Sequence, residues 1–225
     1  LFSRDSDRVI AVAVFCLDHL NFDSVDAEAL ISQMSRLLQV TIEREVLYRS
    51  LDLQREKFYH QAVRDQLTGL FTRYYMTDAT QRLFAIHDRE RKAKVGVILI
   101  DIDHFKSIND GYGHLEGDRV LKEIGILILA QVRQSDMAVR LGGEEFVVFL
   151  PNMDGAGCTA FAERLRISVA EINFEGKLAG RQITASFGVA IRHKGEILTD
   201  LLGRADAMLY KAKENGRNQV QSDNQ

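Results

Sequence analysis

Two acidic positions in this sequence end strongly apolar runs, where a carboxylate can be held rigidly at the edge of a fold. Asp101 closes the run that begins at Val95. Glu144 and Glu145 follow Gly142-Gly143, between the strand-like segments Met137 to Leu141 and Phe146 to Leu150. Two glycines between two strands predict a hairpin, because a tight turn needs φ > 0 and glycine accepts that without penalty. Alternation along a strand sends Glu144 and Glu145 to opposite faces, so one can point into a site while its neighbour points elsewhere. If the strand of Asp101 and the hairpin are sheet neighbours, these acids meet at one edge. Hard cations such as Mg²⁺ take a few carboxylate oxygens together with substrate phosphates, and a backbone carbonyl such as that of Ile102 can add a ligand. Asp103 shares a face with Asp101 and reads as structural, capping the turn after the strand.

A second group follows Asp101. Asn109 can both donate to and accept from a purine edge. Asp118, expected at a helix start, is acceptor-only when ionised and can take the ring N–H and exocyclic amine of guanine, a donor pair that adenine lacks. Taken singly, Asn109 would be a turn former and Asp118 a helix N-terminal carboxylate. A third group is basic. Lys213 and Arg217, four residues apart at the end of the last helix, and Lys106 could together neutralise a polyphosphate, the arginine by its fork and the lysines as point charges. No GxxxxGK[ST] loop is present, so the common nucleotide cradle is absent.

The elements that must position these groups can be read from the hydrophobic pattern. With 225 residues, 46% of them hydrophobic, the chain suffices for one well-buried domain and a smaller piece. Its net charge of −3 gives no global basic field for nucleic acid or an anionic membrane, and no apolar run approaches the ~18 residues of a membrane span. Cys16 and Cys158 lack metal-like spacing and read as buried free thiols in a reducing, cytoplasmic setting. The chain does not begin with Met, shows no signal-peptide pattern and reads as cut from something longer.

Val9 to Phe15 reads as a buried strand, followed by a polar turn in which Ser24 or Asp26 could cap a helix. A helical pattern then runs from about Ala27 to about Val63, with Leu30, Met34, Leu37, Leu38, Thr41, Ile42, Tyr48, Leu51 and Phe58 at spacings of three, four and seven. Its length predicts a two-stranded coiled-coil stalk rather than one surface helix. Asp65 to Leu70 breaks the helix, and Thr68 or Thr72 caps the next, which runs to about Arg91. From Lys94 to Asp103, Val95, Val97 and Leu99 lie on one face and Ile98, Ile100 and Ile102 on the other, the signature of a central strand covered on both sides. A helix over Gly117 to Val132, the hairpin, a helix over Ala156 to Ile172, a strand over Ile183 to Ile191 and a helix over Leu198 to Asn215 complete the chain. The order β-α-β-β-α-β with a closing helix predicts an α/β (α+β) fold, ferredoxin-like, with a mostly antiparallel sheet flanked by helices. The organisation is thus a strand region over 1–26, a long helix over 27–64 and the main domain over 65–225.

The motifs together resemble the GGDEF-domain diguanylate cyclases. Arg140-Leu-Gly-Gly-Glu-Glu-Phe146 is similar to the family signature in its Gly-Gly-Glu-Glu-Phe form. Asp65-Gln-Leu-Thr-Gly-Leu-Phe-Thr-Arg73 resembles the opening motif, Asp101 to Asp118 the metal and guanine segment, and Tyr210-Lys-Ala-Lys-Glu-Asn-Gly-Arg-Asn218 the closing motif. The similarity covers about Asp65 to Val220. It implies a bacterial, cytoplasmic signalling enzyme, a homodimer joined through the N-terminal helix. Each subunit would hold one GTP, and two GTP would give cyclic di-GMP and two pyrophosphates. It implies Asp101, the Ile102 carbonyl and Glu144 as ligands of Mg²⁺ or Mn²⁺, with Glu145 a supporting acid near the second of two ions. Glu144, Glu145 and Lys106 would be catalytic, Asn109, Asp118 and Phe105 would bind the base, and Lys106, Lys213 and Arg217 the phosphates. Arg133-Gln-Ser-Asp136 matches the family's Arg-x-x-Asp product-inhibition motif, and Arg164 falls where a second arginine assists it.

Gln66 and Thr72 replace the usual proline and asparagine of the opening motif, a departure that touches no metal or guanine position. The strand and helix at the start are similar to the end of a GAF sensor domain. A different reading makes the domain a silent receptor for GTP or cyclic di-GMP, but both glutamates of the signature are intact.

Overall fold

The computed structural model describes residues 2–3, 6–9, 24–90 and 92–223. The chain forms two units, Leu1–His60 and Gln61–Gln225. In the first, strands β1 (Phe2–Ser3) and β2 (Ser6–Val9) pair antiparallel, and the helix α1 (Ser24–Val63) begins. The strand expected over 9–15 lies, beyond Val9, outside the described residues, as does Cys16. Along α1, Leu30, Met34, Leu37, Tyr48, Leu51 and Phe58 are between 42% and 73% exposed. No described helix is long and apolar enough to cross a membrane.

The second unit runs β3 (Phe71–Thr72), α2 (Arg73–Arg89), β4 (Val95–Ile102), α3 (Phe105–Tyr112), α4 (His114–Gln131), β5 (Met137–Gly142), β6 (Glu145–Pro151), α5 (Gly155–Ala170), β7 (Ala185–Ile191), α6 (Leu198–Glu214) and β8 (Val220–Ser222). The sheet order is β3-β5-β6-β4-β7-β8. β4 is antiparallel to β6 and β7, and β5 to β6, which is the ferredoxin-like core expected from the element order; β3 and β8 extend it by short parallel pairings.

All eight residues of β4 are buried, as a strand covered on both faces requires. On one side Ile98, Ile100 and Ile102 pack in a cluster with Val120, Ile124 and Ile128 of α4 and Phe161 and Leu165 of α5. On the other, Val95, Val97 and Leu99 join Met76 and Phe84 of α2 and Leu201, Ala205 and Leu209 of α6. The Asp101 side of β4 is therefore the side that α6 covers. Two close approaches fix the layers. Gly96 leaves room for the Sγ of Cys158, a free thiol whose pKa burial pushes up to about 12. Gly188 lets the backbone of α6 lie directly on β7.

Several boundaries differ from expectation. The segment after Asp103, to which no element was assigned, forms α3, and α4 starts at His114 rather than Gly117, the two helices meeting at Gly113 with φ 89°. Asp118 is consequently the fifth residue of its helix, past the first turn where a helix-dipole role would be strongest. The edge strands β3 and β8 were not foreseen. Thr72 caps α2 by accepting from the Tyr75 N–H, as expected.

Candidate active site

Asp101 lies near the end of β4, opposite Glu145 of β6 and Ser186 of β7. The next residue clasps the hairpin: the Ile102 N–H donates to the Glu144 carbonyl over 3.4 Å. Gly143 and Glu144 form the turn, with φ of 149° at Gly142 and 54° at Gly143, values that explain the glycine pair. Glu144 thus sits in the turn, half-buried, and strand alternation starts only at the exposed Glu145. Alternation therefore does not set the directions of the two acids, since only Glu145 belongs to β6. Burial raises the pKa of Asp101; Lys213 opposes this, and Glu144 and Glu145 add to it. The Lys213 Nζ lies 2.9 Å from Asp101 Oδ2.

Asp103 has a different fate two residues on. Its carboxylate accepts from the hydroxyls of Thr184 and Ser186, each at 2.7 Å, and from the Asn218 N–H at 3.1 Å. It is the structural residue expected, and it ties β4 to the turn after α6. Arg217 and Asn218 in that turn have positive φ, and Arg166 of α5 donates to the Asn218 side chain at 2.9 Å. Arg166 and Asn218 were not singled out as candidates; their contact joins residues 52 apart, which spacing cannot reveal.

Asn109, on α3, is half-buried. A Cβ on Gly117 would lie 1.9 Å from its Oδ1, so Gly117 is what leaves that side chain its place. Phe105 is only 6% exposed and belongs to the core beneath, its ring edge near Gly117; it is a floor to this region rather than an open surface. Lys106 and Asp118 are exposed.

Arg140 was not expected to matter and is the brace of the hairpin. It donates to the Gly143 carbonyl through Nε and a terminal nitrogen at 3.2 and 2.9 Å, and to both carboxylate oxygens of Asp65 at 3.1 and 3.2 Å. Burial alone would raise the Asp65 pKa, but hydrogen bonds from Thr68 and the Arg140 guanidinium hold it below the ordinary value. The Asp65 to Leu70 turn is thereby fastened to the glutamate-bearing loop. Its Thr68 also packs closely against Gly125 of α4.

The Arg133–Asp136 turn stands apart from these groups. Asp136 accepts from the Arg133 N–H at 2.8 Å, and both residues line a hollow of about 270 Å³ with Arg64, Phe71 and Leu129. The Arg133 guanidinium has no hydrogen bond or ion pair among the described residues. Arg164 donates to Gln131 at 3.0 Å and lies over the Phe161 ring. Arg64 of the same hollow was missed because it precedes the opening motif and carries no signature of its own.

Among the described residues no three His, Cys, Asp or Glu side chains converge as a ready metal cluster. Asp101, Glu144 and the Ile102 carbonyl are instead two carboxylates and one carbonyl, all hard oxygen donors of the kind that Mg²⁺ takes when phosphates complete its shell. The Asp101 carboxylate is paired with the Lys213 ammonium.

The family profile described as diguanylate cyclase, GGDEF domain, matches residues 62–219. The chain belongs to the GGDEF diguanylate cyclase family. Diguanylate cyclase VdcA of Vibrio cholerae is 38% identical over 170 residues, covering 74% of this chain and 49% of that protein. Response regulator PleD of Caulobacter vibrioides is 36% identical over 225 residues, covering 96% of this chain and 47% of that protein. The chain spans less than half the length of these two curated relatives. Among solved structures, the coiled coil and GGDEF domain of DgcB from Caulobacter crescentus, in complex with c-di-GMP, superposes with a TM-score of 0.73 at 31% identity. That match covers 85% of this chain and 99% of DgcB's.

Proposed function

We propose that this chain is a diguanylate cyclase that condenses two GTP into cyclic di-GMP and two pyrophosphates. The observation that carries this reading is the Lys213–Asp101 ion pair at the end of β4, beside the hairpin that carries Glu144 and Glu145, in a GGDEF domain with an intact glutamate pair. Asp101, the Ile102 carbonyl and Glu144 would hold Mg²⁺ or Mn²⁺, with Glu145 beside a second ion, and such ions lower the pKa of a bound hydroxyl and offset charge on phosphate oxygens. Asn109 and Asp118 read the guanine edge, with Phe105 below. Lys106, Lys213 and Arg217 hold the triphosphate, and Arg140 keeps the glutamate loop in place.

The 3′ hydroxyl of one GTP gives up its proton to solvent, and its oxygen attacks the α-phosphorus of the GTP on the partner subunit, forming a P–O bond as the bond to pyrophosphate breaks. The same step on the second nucleotide closes the ring. Two chains are needed, and α1 supplies the means: its exposed Leu30, Leu37, Leu51 and Phe58 fall at multiples of seven, as do Met34 and Tyr48, the pattern of a two-stranded coiled coil. The region 1–26 is read as the close of a GAF-like sensor in a cytoplasmic protein.

The test is incubation with GTP and Mg²⁺ at several protein concentrations, followed by chromatography. Cyclic di-GMP at a specific rate that rises with concentration is expected; intact GTP throughout would leave only the receptor reading.

Product inhibition belongs to the same proposal. Arg133, Asp136 and Arg164 form the inhibitory site, supported by the uncommitted Arg133 guanidinium above its Asp136-closed turn. A charged hydrogen bond of this kind contributes about 1.5–3 kcal/mol, so Arg133→Ala is expected to raise the half-inhibitory cyclic di-GMP concentration by about tenfold or more. Initial rates against added product check this, and an unchanged inhibition curve would remove Arg133 from the role.

A further inference from the structure

Lys213 is expected to bind phosphate, yet its ammonium lies on the carboxylate that should bind metal. We propose that Lys213 and a divalent cation are alternative occupants of Asp101, so that metal enters stably only with a nucleotide whose phosphates draw the ammonium away. This rests on the reading of the site as a centre for GTP and metal.

The geometry makes the exchange direct. Nζ is 2.9 Å from Asp101 Oδ2, so an ion coordinated by that oxygen would meet the ammonium as a like charge at short range. The Asp101 side chain is 11% exposed and that of Lys213 is 33% exposed, which puts the pair at the mouth of the site, where a ligand can reach it. Asp101 is also the one ion-pair partner of Lys213 among the described residues. Glu144 and Glu145 have no ion pair among these residues.

The backbone of Lys213 cannot follow its head group easily. It lies in the last turn of α6, which is seated on β7 at Gly188, and the turn beyond is closed by the Arg217 N–H on the Ala212 carbonyl at 3.0 Å. The four-carbon stem can swing, however, and carries three donors that serve a phosphate as well as a carboxylate. A triphosphate arriving beside Arg217 gives the ammonium a new anionic partner and frees the Asp101 oxygen in the same event. Metal and nucleotide then bind with positive coupling, and by linkage each raises the affinity of the other by the same factor. Bare metal is held weakly, which keeps the three acids from being saturated when no substrate is present.

Mn²⁺ binding without nucleotide, followed by the electron paramagnetic resonance of the free ion, tests this on the full chain. Lys213→Met and Lys213→Gln keep much of the stem and remove the charge; both are expected to bind Mn²⁺ about tenfold tighter than the parent or more, as loss of a like charge beside the ion implies. Lys213→Arg keeps the charge and should stay near the parent. Adding Asp101→Asn to either neutral variant should abolish the gain. An affinity unchanged in both neutral variants, or a gain that survives Asp101→Asn, would overturn the exchange. A parallel titration with Mn²⁺ and a non-hydrolysable GTP analogue separates the two levels. Asp101-dependent binding of the pair, without a gain in the neutral variants, sinks the exchange alone. Failure of the parent to bind the pair sinks the underlying site.

Discussion

Glu144→Ala is expected to remove cyclic di-GMP synthesis while GTP binding survives within about tenfold. The side chain sits in the turn that Arg140 and the Ile102 N–H hold against the end of β4, and its charge reaches Asp101. Base recognition by Asn109 and Asp118 and phosphate contacts by Lys106 and Arg217 do not pass through it. Metal stabilisation of transition-state charge is worth several kcal/mol, and about 4 kcal/mol corresponds to about a thousandfold in rate. Single-turnover product formation and fluorescence titration with a GTP analogue separate the two effects. Turnover equal to the parent would exclude Glu144 from the mechanism, whereas loss of binding and turnover together would mean that the loop had collapsed.

Gly188→Ala is the second large effect, and it acts on the fold. An added Cβ would lie 2.1 Å from the Ala205 carbonyl oxygen, 2.4 Å from the Leu209 nitrogen and 2.9 Å from its Cα. All three are backbone atoms of α6, so no rotamer change relieves the clash and the helix must lift from the sheet. Overpacking of this kind costs about 3 kcal/mol. For a domain of this size that is a fall of about 6–12 °C in melting temperature. Because α6 carries Lys213 and leads into Arg217, the KM for GTP should rise as well. A melting temperature within about 2 °C of the parent would show that α6 is not seated on β7 as described. Gly111→Ala is the control, since a Cβ there meets nothing within 4 Å.

The pattern of β4 revealed its two covered faces from sequence, because alternating apolar residues on both sides permit few other environments. The reading of Asp103 as structural also holds, since its carboxylate accepts from Thr184, Ser186 and the Asn218 N–H. The alternation argument for Glu144 and Glu145 does not apply, for a local reason. Alternation applies to strands, and Glu144 is in the turn. The helix α3 was hidden because Phe105, Ile108 and Tyr112 give only one short helical stripe, interrupted by Gly111 and followed by Gly113. The strands β3 and β8 have two and three residues, too few for a period, and exist because neighbouring strands offer partners. Arg140 with Asp65, and Arg166 with Asn218, are contacts across 75 and 52 residues that only the folded chain brings together.

The most direct measurement of the central claim is a crystal of the chain with Mn²⁺ and a non-hydrolysable GTP analogue, with the metal located by anomalous scattering. The account predicts a peak bounded by Asp101, the Ile102 carbonyl and Glu144, with guanine against Asn109 and Asp118. A nucleotide bound elsewhere, or a metal peak that touches neither Asp101 nor Glu144, would contradict it.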